Sequence, residues 1–412
     1  MNGVQRIGVD AVSVDRIALA VKRSGQGFLD KVYTPAELAY CRGNDERLAG
    51  RWAAKEAVIK CFDGTGMCFP RRRIEVLPGP NGAPRTRLLG DDRGAQVEVS
   101  ITHHSRLAVA TAHLEMPAAT AHLLHAPEAV LIPARPQDAH KGTFGTAVVV
   151  AGSLGLTGAA YLSATAAART GAGLVRLLVA DTIYPILATK CTEVMATPVP
   201  EVAPGAVGHA AYGSILGQLA AAEVGIIGPG LGRDSSTWRL VVDLAQHAKC
   251  PLVIDADGLN ALAESTRIKG KLGKTRVLTP HPGELGRLTG MTADAINADR
   301  TGAARKAAKD WGAIVVLKGA YTVVAHPDGR TSEDPHAVPA LATGGTGDVL
   351  SGIIGGLIAQ GSEPFAAAVT GVYIHAAAGR RISERIGDSG LLASDLLPEV
   401  PLVMNVLRQG GL

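Results

Sequence analysis

The sequence predicts an α/β protein. Its larger part is an αβα layered domain with a mainly parallel sheet, preceded by a smaller α+β domain. Short runs rich in β-branched residues alternate with alanine-rich helical stretches, and each run ends in glycine or aspartate where a helix begins. Only 4% of the residues are aromatic whereas 50 are glycine, which favours aliphatic layers joined by tight turns. Ligands of such folds bind at the carboxyl ends of the strands, so we expect functional residues there.

The chain is long enough for two domains. Its 412 residues exceed what one typical hydrophobic core organises. Residues 116 to 139 mix alanine, proline and small polar residues, and the strong strand–helix alternation begins directly after them. That change in composition predicts domains at 1–117 and 118–412.

Composition predicts a globular protein of a reducing compartment. Hydrophobic residues make up 47% of the chain and charged residues 19%, which excludes wholesale disorder. The five cysteines show no CxxC spacing and indicate neither a disulfide framework nor a zinc site. Acidic residues stand where a signal peptide needs an apolar stretch, and no run of eighteen apolar residues occurs. We therefore expect a cytoplasmic protein with no membrane partner.

The net charge of +4 is concentrated in the first domain. Residues 1–115 contain 17 Lys plus Arg and 13 Asp plus Glu, with three consecutive arginines at 71–73. Such an excess is typical either of a solvated surface or of a site for an acidic or phosphorylated partner. No nucleic-acid-binding motif or interleaved aromatic stripe accompanies it, so we expect no nucleic-acid partner.

In the first domain, the segment AGRWAAKEAVIKCF is helical by composition. It places Glu56 and Lys60 four residues apart on one face, as an ordinary salt bridge would. The opening strand IGVDAVSVDRI carries Asp10, and the strand pair VEVSITHHSRLAVATAHLE carries His103. Together with FLDKVYTPAELAYC, DGTGM and RRRIEV, these segments resemble the holo-acyl-carrier-protein synthase family of phosphopantetheinyl transferases over about residues 4 to 114.

That resemblance implies transfer of 4′-phosphopantetheine from coenzyme A to a serine of acyl carrier protein, with Mg²⁺ on the pyrophosphate. An acidic carrier protein as partner would also account for the basic excess. The implied site residues are Asp10 and Glu56 for the metal, Lys60 and Arg51 for coenzyme A, and His103 for catalysis.

Two features depart from the family pattern. Thr102 and His104 flank His103 where serine and often aspartate are expected, and an extra Asp63 precedes the glycine turn. The alternative is a non-catalytic module for oligomerisation or carrier binding that keeps the fold.

In the second domain, ATGGTGDVLSGIIGGLIAQG predicts a glycine turn followed by an apolar helix. A helix N-terminus presents unpaired N–H groups and the positive end of its dipole, and glycines let a phosphate come close. The turn is not a Walker A sequence, because the lysine after the glycines is missing and Asp348 stands there. This carboxylate suits a base that takes a proton from an attacking hydroxyl, although a simple helix cap is the alternative.

Further motifs in this domain resemble the ribokinase-like superfamily, and within it the dehydratase that repairs hydrated NADH and NADPH. They span residues 139 to 401 in the family's order. The matching segments are HKGTFGTAVVVAGS, TGAAYLSATAAARTGAGLVR, GPGLGRD, VIDADGLNAL, LTPHPGELGRLTG, VVLKGAYTVVA, the glycine turn and GLLASDLLPEVP.

The resemblance implies that ADP, or ATP in eukaryotic members, drives the dehydration. Asp348 would deprotonate the hydroxyl of the hydrated nicotinamide ring, the β-phosphoryl group of ADP would transfer to that oxygen, and phosphate would leave. The implied nucleotide-binding residues are Lys318, Gly319, Ala320, Tyr321, Thr322 and Gly347. The implied substrate-binding residues are Ala159, Gly230, Gly232, His281 and Asp348.

Each motif also has a purely structural interpretation. GPGLG has GxGxG spacing, so it is a poor dinucleotide fingerprint and suits a strand-to-loop turn. His281 and Lys318 suit a loop residue and a solvated strand end. Val338 and Pro339 stand where relatives commonly have Asn-Pro, which puts one substrate-side hydrogen bond in doubt.

The sequence therefore favours a bifunctional enzyme that acts on the S epimer of the hydrates. The N-terminal residues resemble the carrier-protein synthase instead of the epimerase often fused to this dehydratase, so we expect repair of one epimer only. The alternative keeps the fold but makes the second domain a kinase for a small alcohol such as a vitamin precursor. Because the carrier-protein synthase family usually trimerises, we also expect a homo-oligomer.

Overall fold

The structure is a computed structural model that describes residues 4–62, 69–79, 81–89, 95–104, 106–116, 132–136, 138–202, 205–265 and 272–408. It divides into two compact units, Met1–Glu128 and Ala129–Leu412. The boundary predicted at 117/118 lies outside the described residues and stays a prediction. Asp63 and the glycine turn after it also lie outside them.

The first unit packs helices on one face of an antiparallel sheet. Its elements are β1 (Val4–Ser13), α1 (Val14–Val32), α2 (Pro35–Cys41), α3 (Asp45–Phe62), β2 (Ile74–Pro78), β3 (Pro84–Leu88), β4 (Gln96–His104) and β5 (Leu107–Met116). The sheet has the order β1–β5–β4, and β2 pairs separately with β3. The alanines and aliphatic residues of α3 are buried in the core of the unit. This arrangement is the predicted α+β class.

A buried ion pair connects α2, α3 and β2. The Lys55 ammonium lies 2.8 Å from Glu37 Oε2, and neither side chain has exposed surface. Glu37 also accepts hydrogen bonds from the backbone N–H groups of Thr34 at 2.8 Å and Val76 at 2.9 Å. Lys55 donates to the Arg71 carbonyl at 2.7 Å. The charges are therefore buried with their hydrogen-bonding capacity used, which is what makes such a pair tolerable.

The other face of this sheet is open. Along β1, Ile7 is 75% exposed and Val9 is 52% exposed, and Leu107 on β5 is 47% exposed. The register places Ile7 opposite His113 and Val9 opposite Thr111 on the neighbouring strand. Within the first unit, this face therefore carries exposed apolar side chains beside the polar side chains of His113 and Thr111.

The second unit is built on a nine-stranded sheet. The strands of this sheet are β6 (Thr146–Val150), β7 (Leu174–Ala180), β8 (Met195–Val199), β11 (Val224–Ile227), β12 (Leu252–Ile254), β13 (Arg276–Leu278), β14 (Ile314–Leu317), β15 (Val323–Ala325) and β16 (Thr331–Glu333). A separate small pair is formed by β9 (Glu201–Val202) and β10 (Ala206–Val207). The order in the sheet is β16–β15–β14–β13–β12–β11–β6–β7–β8. Within the described part of the nine-stranded sheet, only the pairings of β14 with β15 and of β15 with β16 are antiparallel. The prediction of a mainly parallel sheet is confirmed.

Helices cover this sheet. They are α4 (Thr157–Thr170), α5 (Tyr184–Lys190), α6 (Tyr212–Ala220), α7 (Ser235–His247), α8 (Asp257–Glu264), α9 (Pro282–Thr289), α10 (Ala293–Ala298), α11 (Arg300–Trp311), α12 (Thr346–Ala359), α13 (Pro364–Ile386) and α14 (Ala393–Arg408). The buried runs in the parallel strands carry apolar side chains on both faces, as expected for a sheet covered from both sides.

Helix α12 packs backbone to backbone against α4. A Cβ atom on Gly352 would lie 2.2 Å from the Ser163 carbonyl oxygen, and one on Gly356 would lie 2.7 Å from the Ala167 carbonyl oxygen. Glycine is therefore required at both positions for this close approach. Although α12 is apolar throughout, neither it nor any other described helix is long and apolar enough to cross a membrane.

Candidate active site

Loops that follow four neighbouring parallel strands meet at the carboxyl edge of the large sheet. Strands β11 to β14 lie side by side, and α12 begins at the same edge. Gly230 follows β11, Asp255 follows β12, His281 follows β13 and Lys318 follows β14. Residues far apart in the chain thus come together at the edge where ligands of this architecture bind.

An acidic cluster surrounds the Lys318 ammonium. Its Nζ lies 2.8 Å from Asp255 Oδ1 and 3.7 Å from Glu284 Oε2. Burial alone would lower the pKa of Lys318, but the two carboxylates raise it above its ordinary value. A Cβ atom on Gly347 would lie 3.2 Å from this ammonium. The glycine turn therefore has a fixed positive charge beside it.

Asp348 lies in the first turn of α12. Burial and the nearby charge of Asp255 raise the pKa of its carboxyl to about 7, although Lys318 opposes the shift. Among the described residues, no hydrogen-bond partner of the Asp348 carboxylate is found, so it does not cap its helix. A carboxyl with a pKa near neutral and free lone pairs suits a general base.

The raised pKa of Asp348 has a consequence for the stability of the fold. A carboxyl whose pKa is raised on folding binds its proton more tightly in the native state, so stability falls as pH rises through the interval between the two pKa values. Replacing Asp348 by asparagine removes this penalty. We expect the variant to be more stable than the wild type, with a difference that widens from about pH 4 to pH 7, by at most about 1.4 kcal/mol per pH unit.

The measurement is thermal or urea unfolding of both proteins across this pH range. Asp294→Asn is the control, because Asp294 is an exposed aspartate in the first turn of α10. A difference between Asp348→Asn and the wild type that stays constant with pH would contradict the expectation.

A buried histidine supports the first turn of α12. His375, on α13, has its Nε2 atom 2.9 Å from the Thr346 carbonyl oxygen. Burial lowers the pKa of His375 to about 4, so the ring is neutral at neutral pH and donates its Nε2–H to that carbonyl. The Thr346 hydroxyl donates to the Leu341 carbonyl at 2.9 Å. These contacts position the loop that precedes Asp348.

The predicted nucleotide segment, residues 318–322, forms a tight turn after β14. Gly319 has φ +146° and Tyr321 has φ +54°. Residues other than glycine rarely adopt a positive φ. Arg300 holds the turn by donating to the Leu317 carbonyl at 3.0 Å and the Lys318 carbonyl at 3.1 Å. The Thr322 hydroxyl donates to the Gly319 carbonyl at 2.9 Å. The turn is held in its unusual shape by side chains on both sides.

A cavity of about 310 Å³ opens beside this turn. Five of the six predicted nucleotide-binding residues line it, and Tyr321 is the exception. Its remaining walls are mostly apolar, and the lining residues are Ala337, Val338, Pro339, Leu341, Ala342, Leu350, Val372 and Ala376, together with the polar Asp334, His336, Thr346 and His375. The structure thus places the predicted nucleotide segment and Gly347 around one cavity.

Three of the predicted substrate-binding residues also come together. A Cβ atom on Gly230, where φ is +61°, would lie 3.0 Å from the Ala159 Cβ atom. The Gly232 N–H donates to Asp257 Oδ2 at 2.9 Å, and the Ser153 hydroxyl donates to the Gly230 carbonyl at 2.8 Å. The GPGLG loop therefore packs closely on the start of α4.

His281 caps α9 and keeps its ring half exposed. The ring Nδ1 of His281 accepts from the Gly283 N–H at 3.0 Å, while the backbone N–H of His281 donates to Glu284 Oε2 at 2.8 Å. Because Glu284 also lies near Lys318, this capping box joins His281 to the acidic cluster. Asn260 lies within α8, not directly at a strand end, and donates to Asp257 Oδ1 at 3.1 Å.

In the first unit, the structure brings together part of the predicted coenzyme A site. Lys60 Nζ lies 2.8 Å from Asp10 Oδ1, and Glu56, one turn earlier on α3, pairs with Arg71. No group of three or more His, Cys, Asp or Glu within the described residues is placed to hold a metal ion. Asp10 and Glu56 are each partly exposed and engaged by a cation, and Mg²⁺ usually needs only one or two carboxylates besides water and substrate phosphate oxygens.

The other predicted residues of this unit lie elsewhere. The Arg51 guanidinium stacks on the Tyr40 ring at 4.4 Å from its centroid and is nearly buried. A separation of nine residues also puts it on the opposite side of α3 from Lys60. His103 Nδ1 lies 3.8 Å from Glu46 Oε2 at the surface. The structure does not join either residue to the Asp10–Lys60 pair.

Sequence reasoning missed three ionisable residues of the second unit. Asp255 lies in the VIDADG motif, and its position directly after a buried strand was an available signal. His375 lies in an alanine-rich helix, and nothing local marks its contact with Thr346. Asp334, which lines the cavity, likewise has no local signal.

The fold and the site define a class of protein. A mainly parallel αβα unit with a buried carboxyl near a lysine, at the N-terminus of an apolar helix, is a ribokinase-like domain. Within that class, residues 147–402 match the family model described as NAD(P)H-hydrate dehydratase, and the chain belongs to this family. Residues 6–112 match the model of the 4′-phosphopantetheinyl transferase superfamily.

Individual relatives agree. The chain is 46% identical over 278 residues to the bifunctional NAD(P)H-hydrate repair enzyme Nnr of Moorella thermoacetica, covering 68% of this chain and 52% of that protein. It is 37% identical over 268 residues to the ADP-dependent (S)-NAD(P)H-hydrate dehydratase of Xanthomonas campestris, covering 65% of this chain and 90% of that protein. The chain therefore spans about half the length of the bifunctional relatives it matches.

A solved structure is also similar. The ADP/ATP-dependent NAD(P)H-hydrate dehydratase from Bacillus subtilis, co-crystallized with ATP/Mg²⁺, matches with a TM-score of 0.58 and 32% sequence identity. The match covers 68% of this chain and 95% of that chain.

Proposed function

We propose that the second unit dehydrates the S epimer of hydrated NADH and NADPH, with ADP as the phosphoryl donor. The observation that carries this proposal is that the Asp348 carboxyl, whose pKa is about 7, lies within the electrostatic influence of the Lys318 ammonium beside the glycine turn. A relative that the chain matches over 90% of its length is named as an ADP-dependent (S)-NAD(P)H-hydrate dehydratase.

The reaction follows from these groups. Asp348 takes the proton of the ring hydroxyl while that oxygen attacks the β-phosphorus of ADP, and AMP leaves. Lys318 and the N–H groups at the start of α12 stabilise the negative charge on the transferring phosphoryl group. The lone pair of the ring nitrogen then expels phosphate from carbon, and loss of a ring proton restores NADH or NADPH. Phosphate is a far better leaving group than hydroxide, which is why the nucleotide is needed.

The direct test is recovery of nicotinamide absorbance when the protein meets hydrated NADH with ADP or with ATP. We expect recovery with ADP, and one AMP and one phosphate released per NADH formed. A stable phosphorylated alcohol as product, with no recovery of absorbance, would instead support the small-alcohol kinase and would refute the dehydratase.

We infer that the first unit transfers 4′-phosphopantetheine from coenzyme A to acyl carrier protein. Asp10 and Glu56 would hold Mg²⁺, which supplies positive charge to the pyrophosphate during transfer. Lys60 would bind phosphate, whereas Arg51 and His103, which the sequence predicts for coenzyme A binding and catalysis, lie apart from the Asp10–Lys60 pair. The match of residues 6–112 to the transferase superfamily supports this proposal.

We expect apo acyl carrier protein to gain the mass of one phosphopantetheine on incubation with this protein, coenzyme A and Mg²⁺. Asp10→Asn should lower the rate at least roughly 10²-fold, because it weakens metal binding. Asp15→Asn, an exposed aspartate at the start of α1, is the matched control. An unchanged carrier mass, with wild-type protein shown to be folded, would leave the unit as a non-catalytic module.

We propose that copies of the chain associate through the open face of the first sheet, giving a homo-oligomer. Ile7, Val9 and Leu107 are large apolar residues exposed on strands of this sheet, and large exposed apolar groups on a sheet are typical of interfaces. Ile7→Lys should therefore reduce the mass measured by light scattering in solution. Leu19→Lys, at an exposed position of α1, should leave the mass unchanged. An equal mass for Ile7→Lys and wild type would argue against this interface.

A further inference from the structure

An aspartate–histidine pair that the proposed reaction does not use lies in the wall of the cavity beside the nucleotide turn. His336 Nδ1 is 3.0 Å from Asp334 Oδ1, and the two side chains are 10% and 5% exposed. The His336 ring packs edge to face on Tyr373, with centroids 5.2 Å apart. Both members of the pair line the cavity together with Lys318 and Gly347.

The backbone ties this pair to the nucleotide turn. The Tyr321 N–H donates to the His336 carbonyl at 3.1 Å, and the Asp334 N–H donates to the Thr322 carbonyl at 2.9 Å. The segment that carries the pair is therefore fixed relative to the residues that would bind the nucleotide. A polar group held in a fixed position can favour a ligand that forms a hydrogen bond with it over one that does not.

The hydrogen bond to Asp334 sets the tautomer of the histidine. A carboxylate is only an acceptor, so Nδ1 carries the proton and donates it to Asp334. In the neutral ring Nε2 is then an acceptor. Among the described residues, no partner of Nε2 is found. His336 thus offers one oriented acceptor in a cavity whose other walls are largely apolar.

We propose that the Asp334–His336 pair determines the nucleobase specificity of this site, selecting adenine through its 6-amino group. The proposal rests on the proposed use of the cavity for ADP. Adenine presents an N–H₂ donor at position 6, whereas hypoxanthine and guanine present an oxygen acceptor there. An acceptor on the protein pairs with the amino group and faces the 6-oxygen without a hydrogen bond, which is unfavourable for buried groups.

The other ionisable groups that line the cavity do not compete for this role. His375 already donates its Nε2–H to the Thr346 carbonyl, and Lys318 is paired with Asp255. Neither is an available acceptor. One oxygen of Asp334 accepts from His336 and its side chain is only half as exposed as that of His336, so we assign the acceptor offered to a base to His336 Nε2.

The experiment measures the binding of ADP and of inosine 5′-diphosphate by calorimetry, without any turnover. These nucleotides differ at position 6 of the base and at the protonation of N1, while their ribose and phosphates are the same. We expect the wild type to bind ADP roughly 10- to 100-fold more tightly than inosine diphosphate, the range set by one unpaired buried polar group.

Two variants should abolish this preference. His336→Gln replaces the oriented acceptor by an amide that can accept or donate. Asp334→Asn permits both tautomers of His336, which a long-range ¹⁵N–¹H spectrum would report directly. In both variants the ratio of the two dissociation constants should approach one while ADP still binds.

Asp243→Asn is the matched control. Asp243 forms a similar pair with His209, at 2.8 Å, on the outside of the same unit and away from the cavity. It should leave the ratio at the wild-type value. ADP preference that persists unchanged in both cavity variants would overturn the inference and leave the dehydratase standing. A wild type that binds neither diphosphate would overturn both.

Discussion

Replacing Asp348 by asparagine should lower the rate of NADH recovery by roughly 10²- to 10⁴-fold, the range typical of losing a general base. Asparagine has the same size and cannot accept the proton of the ring hydroxyl. The wild-type rate should rise with pH and level off above about pH 7, because only the ionised carboxylate acts and its pKa is about 7. Absorbance recovery across pH 5 to 9 measures both effects.

Binding measurements distinguish a lost base from a lost fold. Asp348→Asn should retain ADP binding, since Lys318 and the backbone of the turn remain in place. Asp294→Asn, which removes a carboxylate from an exposed first helical turn, should keep the wild-type rate and pH profile. If Asp348→Asn retained the full rate, the carboxylate would not be the base.

Replacing Lys55 by methionine should destabilise the first unit by about 3–5 kcal/mol, because the Glu37 carboxylate would stay buried without its cation. Methionine matches the length of the lysine stem and fills most of its volume. Hydrogen exchange of the backbone amides of α2, α3 and β2 in the full chain would measure the loss of protection locally.

Lys60→Met provides the comparison within the same helix. Lys60 is also 2.8 Å from a carboxylate, but its side chain is 48% exposed, so its loss should cost no more than about 1 kcal/mol. Adding Glu37→Gln to Lys55→Met should recover part of the stability, because it removes the unpaired charge, while the single amide oxygen can still accept from one of the two N–H groups, Thr34 or Val76. Equal effects of Lys55→Met and Lys60→Met would contradict this account.

The fold of the second unit was predictable because its signals are local. The apolar strand runs, the glycine turns and the helix starts each lie within a dozen residues, and parallel topology then follows from their alternation. The same local logic identified Asp348 in the glycine turn as a candidate base, whereas Lys318 and the turn that follows it were predicted from the resemblance to the dehydratase family.

Other features depend on contacts between distant segments and carried no local signal. The Lys318–Asp255 pair joins residues 63 positions apart, and Lys55 meets Glu37 from a different helix. The sequence does not distinguish the buried Lys55 from the exposed Lys60, since both lie in one alanine-rich helix. Nor does it reveal that Arg51 turns toward Tyr40, because that depends on how α2 packs against α3.

The glycine contacts between α12 and α4 bear on how Asp348 is positioned. Where two helices contact each other through their main chains, neither can slide or rotate without steric clashes. The helix that carries Asp348 is therefore held rigidly against α4. The Asp348 carboxyl at the start of this helix is thus held in position by contacts that require no ligand.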